Sequence, residues 1–217
     1  MNISKLTTIP LLLISISSNA NLLQNGSFEI GPSVGATFVD LPAGSVSISN
    51  WTVGGFHIDY SGPGTWNISD GVRNIDLDGS VPVLNRNGSV AQEFFTTIGQ
   101  AYSVTFDLSG NPAGFPLLKQ LEVSAGDAVA IFEYNIGAVV PPTLPLVISY
   151  IQQTFSFVAT ESLSLLTFRS LTLQTGAPGF GAIIDNVVVQ SVPVPPVLVM
   201  IFPGLLVLLT RRRRVET

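Results

Sequence analysis

The sequence predicts an all-β domain, an antiparallel jelly-roll β-sandwich, and three observations carry that prediction. Apolar and polar residues alternate with period two through most of the chain, the pattern of half-buried strands. No stretch between the termini repeats at 3.6 residues over three turns, and strands without crossover helices pair antiparallel. The 20 glycines and 15 prolines among 217 residues punctuate the pattern at sandwich spacing, with room for roughly ten or eleven strands.

Taken in order, "LLQNGSFEIG" (22–31) is expected to be the first strand. "GGFHIDY" puts Phe56, Ile58 and Tyr60 on one face, with His57 and Asp59 on the other. "RNIDLDG" turns Ile75 and Leu77 inward and leaves Asn74, Asp76 and Asp78 outward. "AYSVTFDLSGN" places Tyr102, Val104, Phe106 and Leu108 together. "KQLEVS", "AVAIFEY" and "QTFSFVA" continue the series. "ESLSLLTFRSLTL" alternates, slips by one at Leu165-Leu166 and alternates again, which predicts a bulge there. "GAIIDNVVVQ" closes the domain, and in a jelly roll it is expected to lie beside the first strand. "PAGFPLL" and "GAVVPPTLPL" read as exposed loops, since proline cannot donate to a ladder.

The two ends read as processing segments, which divides the chain into residues 1–20, 21–191 and 192–217. Lys5, the apolar run Leu6 to Ile16 and small residues at Ser18 and Ala20 have the order of a signal peptide cut after Ala20. At the other end, Val192 to Leu209 carries no charge and is followed by Arg211, Arg212, Arg213 and Arg214. As a helix it spans about 27 Å, just under a hydrocarbon core. Arginines after such a run hold it on the cytoplasmic side. Pro193, Pro195 and Pro196 stand at its start, and Pro203-Gly204 weakens its middle.

Charged residues make up only 11% of the chain, and there is no cysteine. Disulfides and zinc-thiolate sites are therefore excluded. Between Asn21 and Ser191, four basic residues face 13 acidic ones, a balance of −9. A phosphate backbone demands a basic face, so nucleic acid is not an expected partner.

Sugar binding needs aromatic faces for pyranose rings and planar polar groups for hydroxyl pairs. Trp51, Tyr60 and Trp66 fall close together, with Trp51 expected in the core. The loop-rich stretch "DYSGPGTWNISDG" offers Tyr60, Trp66, Asn67, Asp70 and Arg73 as a glycan site. Asp76 and Asp78, two apart on a strand, lie roughly 7 Å from each other, compatible with an inverting glycosidase pair. Nothing around them in sequence suggests a desolvating pocket, and they are expected to be solvated. Ser33 in "GPSVG" has no following helix, and an elbow triad needs a histidine after both the serine and the acid, for which His57 is the only candidate, so Ser33 is expected to be a loop residue. His57, the single histidine, is expected to sit exposed on its strand. Glu29 and Asp185 lie on the expected first and last strands. They could converge at one edge as hard oxygen ligands for calcium, or bond to backbone amides of neighbouring turns.

Two resemblances add to this. "NLLQNGSFE", Trp51, "NIDLDG", "YSVTFDLSGNP", "KQLEVS", "FRSL" and "IIDNVVV", in that order, resemble the choice-of-anchor C family over residues 21–190. That family is related to plant cell-wall proteins, and it implies a galactose-binding-like sandwich and, by analogy, carbohydrate binding. Sandwich modules that begin like "NGSFE" often carry a structural calcium there, and the resemblance implies calcium as a candidate cofactor held by Glu29 and Asp185. "VPVPP", the apolar run and the arginine block resemble a PEP-CTERM sorting tail, with Val194 where that motif has glutamate. The tail implies a bacterial envelope, surface or matrix location, transient membrane anchoring, and processing by signal peptidase and an exosortase-type protease. The expectation is thus an exported, non-catalytic module for extracellular polysaccharide. A purely structural or adhesive surface protein is the alternative, and a glycoside hydrolase is the third class.

Overall fold

The computed structural model of the chain describes residues 20–80, 87–141, 143, 145–173 and 179–193. Among these, eleven strands form two antiparallel sheets, and no helix is present. The strands are β1 (Phe38–Pro42), β2 (Thr52–Gly54), β3 (His57–Ser61), β4 (Asn74–Asp76), β5 (Ser89–Phe95), β6 (Ala101–Gly110), β7 (Leu118–Ala125), β8 (Ala128–Asn135), β9 (Ile151–Val158), β10 (Leu163–Ser170) and β11 (Ala182–Ser191). One sheet has six strands in the order β1-β3-β4-β11-β6-β9, and the other has five in the order β2-β5-β10-β7-β8.

The period-two pattern determines the core. Val104, Phe106 and Leu108 on β6 meet Leu121 and Val123 on β7 and Leu166 and Phe168 on β10. Each of these side chains is fully buried. Phe106 and Phe168 meet edge to face at 5.1 Å, a geometry the ring quadrupoles favour. Trp51 is also core, 4.9 Å from Phe28 and 6.4 Å from Phe168.

Three local expectations are corrected. The segment 22–31 lies beside β11, as the jelly roll requires, but it is not a strand. It joins by scattered bonds such as Leu22 N–H to Val189 O at 2.9 Å and Val187 N–H to Gly26 O at 3.0 Å. Positive φ at Asn25 (55°) and Phe28 (60°) breaks its ladder. Gly26 is required because a Cβ there would sit 2.1 Å from Val187 O. The bulge is not at Leu165-Leu166, where β10 pairs in unbroken register with β5. It is in β11 between Asp185 and Val188, where Asn186 adopts φ of 51°.

The stretch 137–146 is also not simply an exposed loop. Leu146 pairs in parallel with Trp66 in an isolated bridge. Leu146 and Ile148 bury with Trp66 and Ile183 in a second apolar cluster. Ile183 points away from the main core, so this cluster covers part of the outer face of the six-stranded sheet.

The segments 1–19 and 194–217, including Pro195, Pro196 and Arg211 to Arg214, lie outside the described residues; Pro193 is described and exposed. Among the described residues, no helix is long and apolar enough to cross a membrane.

Candidate functional site

The residues expected to form a glycan site do come together, but as internal structure. Tyr60 is fully buried, and its hydroxyl donates to Phe28 O at 2.6 Å. Trp66 is 4% exposed and donates from Nε1 to Asn74 Oδ1 at 3.1 Å. Neither ring has a free face for a sugar: Tyr60 is packed into the main core, and Trp66 is closed over by Leu146 and Ile148. Asn67 forms part of that closure: its amide donates to Ile148 O at 2.9 Å and accepts from Ile148 N–H at 2.7 Å. The Arg73 guanidinium lies 5.9 Å over the Tyr60 ring and donates to Val72 O. Asp70 accepts from the Ser27 hydroxyl.

Glu29 and Asp185 both reach this loop and hold its two ends. Asp185 Oδ2 accepts from Ser69 N–H (3.1 Å), the Ser69 hydroxyl (2.8 Å) and Asp70 N–H (2.9 Å). Its Oδ1 accepts from Asn186 N–H at 2.7 Å. Glu29 Oε1 accepts from the amides of Val72 and Arg73 at 2.9 and 3.0 Å. Of the two readings left open by the sequence, amide bonding is therefore the one observed. Among the described residues, no group of three acidic, histidine or cysteine side chains is arranged to hold a metal. Burial pushes the Asp185 carboxyl up to about 6, opposed by the donors just named. Removing that acceptor leaves the part-buried Ser69 and Asp70 amides without their carboxylate partner, so Asp185→Ala is expected to cost about 1–2 kcal/mol in urea unfolding. Chelator is expected to leave the wild-type melting midpoint unchanged.

The expected solvated carboxylates are also corrected. Asp40, Asp59 and Asp76 stand side by side across β1, β3 and β4. Asp59, Asp76 and Asp78 are at most 4% exposed. His57 Nδ1 contacts Asp40 Oδ1, so the histidine is half-buried rather than free on its strand. Asp76 accepts from Asn111 Nδ2 at 2.8 Å and Gly181 N–H at 3.1 Å. Burial, then the neighbouring Asp78 and Asp59 charges, hold Asp76 well above the usual carboxylate range. Burial pushes Asp59 up to about 7. The fully buried Lys119 donates to Gly114 O and Phe180 O at 2.9 and 2.7 Å, and burial lowers its amine to about 8. These groups are walled off from polymeric substrate, so the Asp76–Asp78 pair is packed structure rather than a glycosidase cleft.

An accessible concave surface lies on the opposite side, on the five-stranded sheet. A groove of about 760 Å³ runs over β2, β5 and β10. Phe95, 84% exposed, pairs across strands with Leu163, and Glu93 pairs with Leu165. Leu22, Val46 and Asn50 stand opposite as the other wall. That wall is pinned by a reciprocal amide clasp: Gln24 N–H to Gln92 Oε1 and Gln92 Nε2 to Gln24 O, both 2.8 Å. Trp51 Nε1 adds a bond to Asn25 O at 2.9 Å. None of Phe95, Leu163, Leu165 or Glu93 stands out in the sequence as a binding residue. The available signal was the paired apolar residues Phe94-Phe95 and Leu165-Leu166, which give a strand two apolar faces.

A family profile described as "Protein of unknown function (DUF642)" matches residues 21–190. The chain belongs to this family. A curated relative, halomucin of Haloquadratum walsbyi, is 31% identical over 176 residues, 79% of this chain. The chain spans about 2% of that relative's length. Among solved structures, TmCBM61 in complex with β-1,4-galactotriose is 15% identical with a TM-score of 0.49, covering 79% of this chain and 99% of that one. A structure described as "CBM4 structure and function" is 16% identical with a TM-score of 0.42, covering 78% and 99%.

Proposed function

We propose that this DUF642 protein is an exported, surface-directed, non-catalytic module that binds extracellular polysaccharide along the groove of its five-stranded sheet. The observation that carries the reading is Phe95: a large aromatic ring, 84% exposed, on the floor of a groove whose far wall is fixed by hydrogen bonds. Exposed rings of this kind stack on sugar faces, and polar groups at the rim, here Glu93, Asn50 and Thr52, take hydroxyls. A pre-formed wall lowers the ordering cost of binding. Export, membership of the choice-of-anchor C group and a PEP-CTERM-like tail read by an exosortase-type protease complete the proposal. They rest on residues 1–20 and 192–217 and on the ordered motifs of the body.

Two measurements test the reading. Against a panel of neutral and charged polysaccharides, Phe95→Ser is expected to weaken binding about tenfold or more while shifting stability by less than about 0.5 kcal/mol. Full-strength binding by that variant would remove the groove from consideration. Intact mass of the protein recovered from its native envelope should lack residues 1–20 and the arginine block. A mass that includes Arg214 would make the tail a lasting anchor.

A further inference from the structure

We infer that the groove takes an amine-bearing polysaccharide, a hexosamine polymer with free amino groups, in preference to a polyuronate; the inference rests on the glycan-binding reading above. The groove does not end at Phe95. A second hollow of about 430 Å³ continues it towards the β7–β8 turn, and the two share Glu93, Leu163 and Leu165. Asp127 and Glu161 line this extension. All three carboxylates belong to exposed residues. Among the described residues lining either hollow there is no lysine, arginine or histidine.

Among the described residues, the nearest strand cation on β10, Arg169, is already engaged. Arg169 lies four residues along β10 from Leu165, roughly 14 Å away on an extended strand. Its guanidinium makes a two-pronged pair with Glu122, with both bonds at 3.0 Å. A bound polymer therefore runs past three negative charges with no positive charge among the lining residues to offset them. A uronic-acid chain carries one carboxylate per sugar and is repelled along its whole length. A hexosamine chain with free amines places ammonium groups at sugar-length intervals against the same carboxylates. The apolar floor of Phe95, Leu163 and Leu165 serves the sugar faces in either case, so the carboxylates decide the class.

The test uses the purified full-length chain and three oligosaccharides of matched length: fully deacetylated glucosamine, fully acetylated glucosamine and galacturonate. Binding is measured at about pH 5.5, where the sugar amines are protonated. Three exposed charge pairs, each modest alone, together predict about tenfold tighter binding of the deacetylated oligomer than of the acetylated one. Raising salt from about 25 to about 250 mM should shrink that ratio several-fold. Glu93→Gln should shrink it about threefold without moving the melting midpoint. Equal affinity for the two glucosamine oligomers, or tighter binding of galacturonate, overturns this inference and leaves the glycan-binding reading standing. No binding of any polysaccharide tested overturns both.

Discussion

The domain is expected to be more stable at about pH 5 than at about pH 7.5, the reverse of ordinary acid denaturation. Asp59 is pushed up to about 7 by burial, against an unfolded value of 3.8. Between those values the folded state binds more protons than the unfolded one, so stability falls as pH rises. Asp76 adds to the same slope, because burial and the neighbouring Asp78 and Asp59 charges raise it too, and Asp185 contributes up to about 6. At 1.36 kcal/mol per unit, Asp59 alone is worth on the order of 3 kcal/mol across the window. For a domain of this size that corresponds to a melting shift of about 5–10 °C. Lys119, lowered to about 8 from 10.5, acts at the other end. Its penalty is present below pH 8 and fades towards 10.5, so the stability minimum falls near pH 7–8. Melting curves from about pH 4.5 to 10 check this. Asp59→Asn should raise the midpoint near pH 7.5 and flatten the acid side. A wild-type midpoint that rises steadily from pH 5 to 7.5 would show that these carboxylates are ionised and compensated in the fold.

The same acidic row shows which part of the structure was legible in the sequence. Alternation assigned the faces correctly: Ile58, Tyr60, Ile75 and Leu77 are core, and His57, Asp59, Asp76 and Asp78 lie on the other side. Alternation cannot say whether that other side meets water. Over Asp76 the cover comes from Asn111 and Gly181, 35 and 105 residues later in the chain, and a two-residue period carries no information about such distant segments. Trp66 was misplaced because Leu146 and Ile148, some eighty residues on, close over it, whereas Tyr60 lies on the core face that alternation gives it. In the groove the error ran the other way. Leu165-Leu166 looked like a break in the pattern, yet the strand continues in register with one leucine on each face. Phe94-Phe95 repeats the device on the neighbouring strand, and the two outward apolar residues fall beside one another only once the register is known. The break that does occur is in β11, where Asn186 supplies the positive φ, a conformation asparagine tolerates better than most residues.

Trp66→Ala is expected to lower stability by about 3–5 kcal/mol, the cost of emptying a buried aromatic site. Two further losses accompany the cavity. Asn74 Oδ1 loses the indole donor at 3.1 Å, leaving a buried acceptor unpaired. The Trp66–Leu146 bridge loses the side chain that keeps Leu146, Ile148 and Ile183 together. The damage should therefore spread to the cover of the six-stranded sheet. In hydrogen exchange, the amides of Leu146 and Ile148, which donate to Thr65 O and Asn67 Oδ1, should lose protection first. The core amides of β6 and β7 should follow only with global unfolding. Set beside Phe95→Ser, the variant separates two roles for an aromatic ring. A sugar platform can be removed with lost binding and little change in stability, whereas a buried ring costs stability first. Trp66→Ala with an unmoved urea midpoint and abolished glycan binding would return the site to the Tyr60–Arg73 loop. A large drop in midpoint, with the Phe95 groove still competent in the folded fraction, is the outcome the packing predicts.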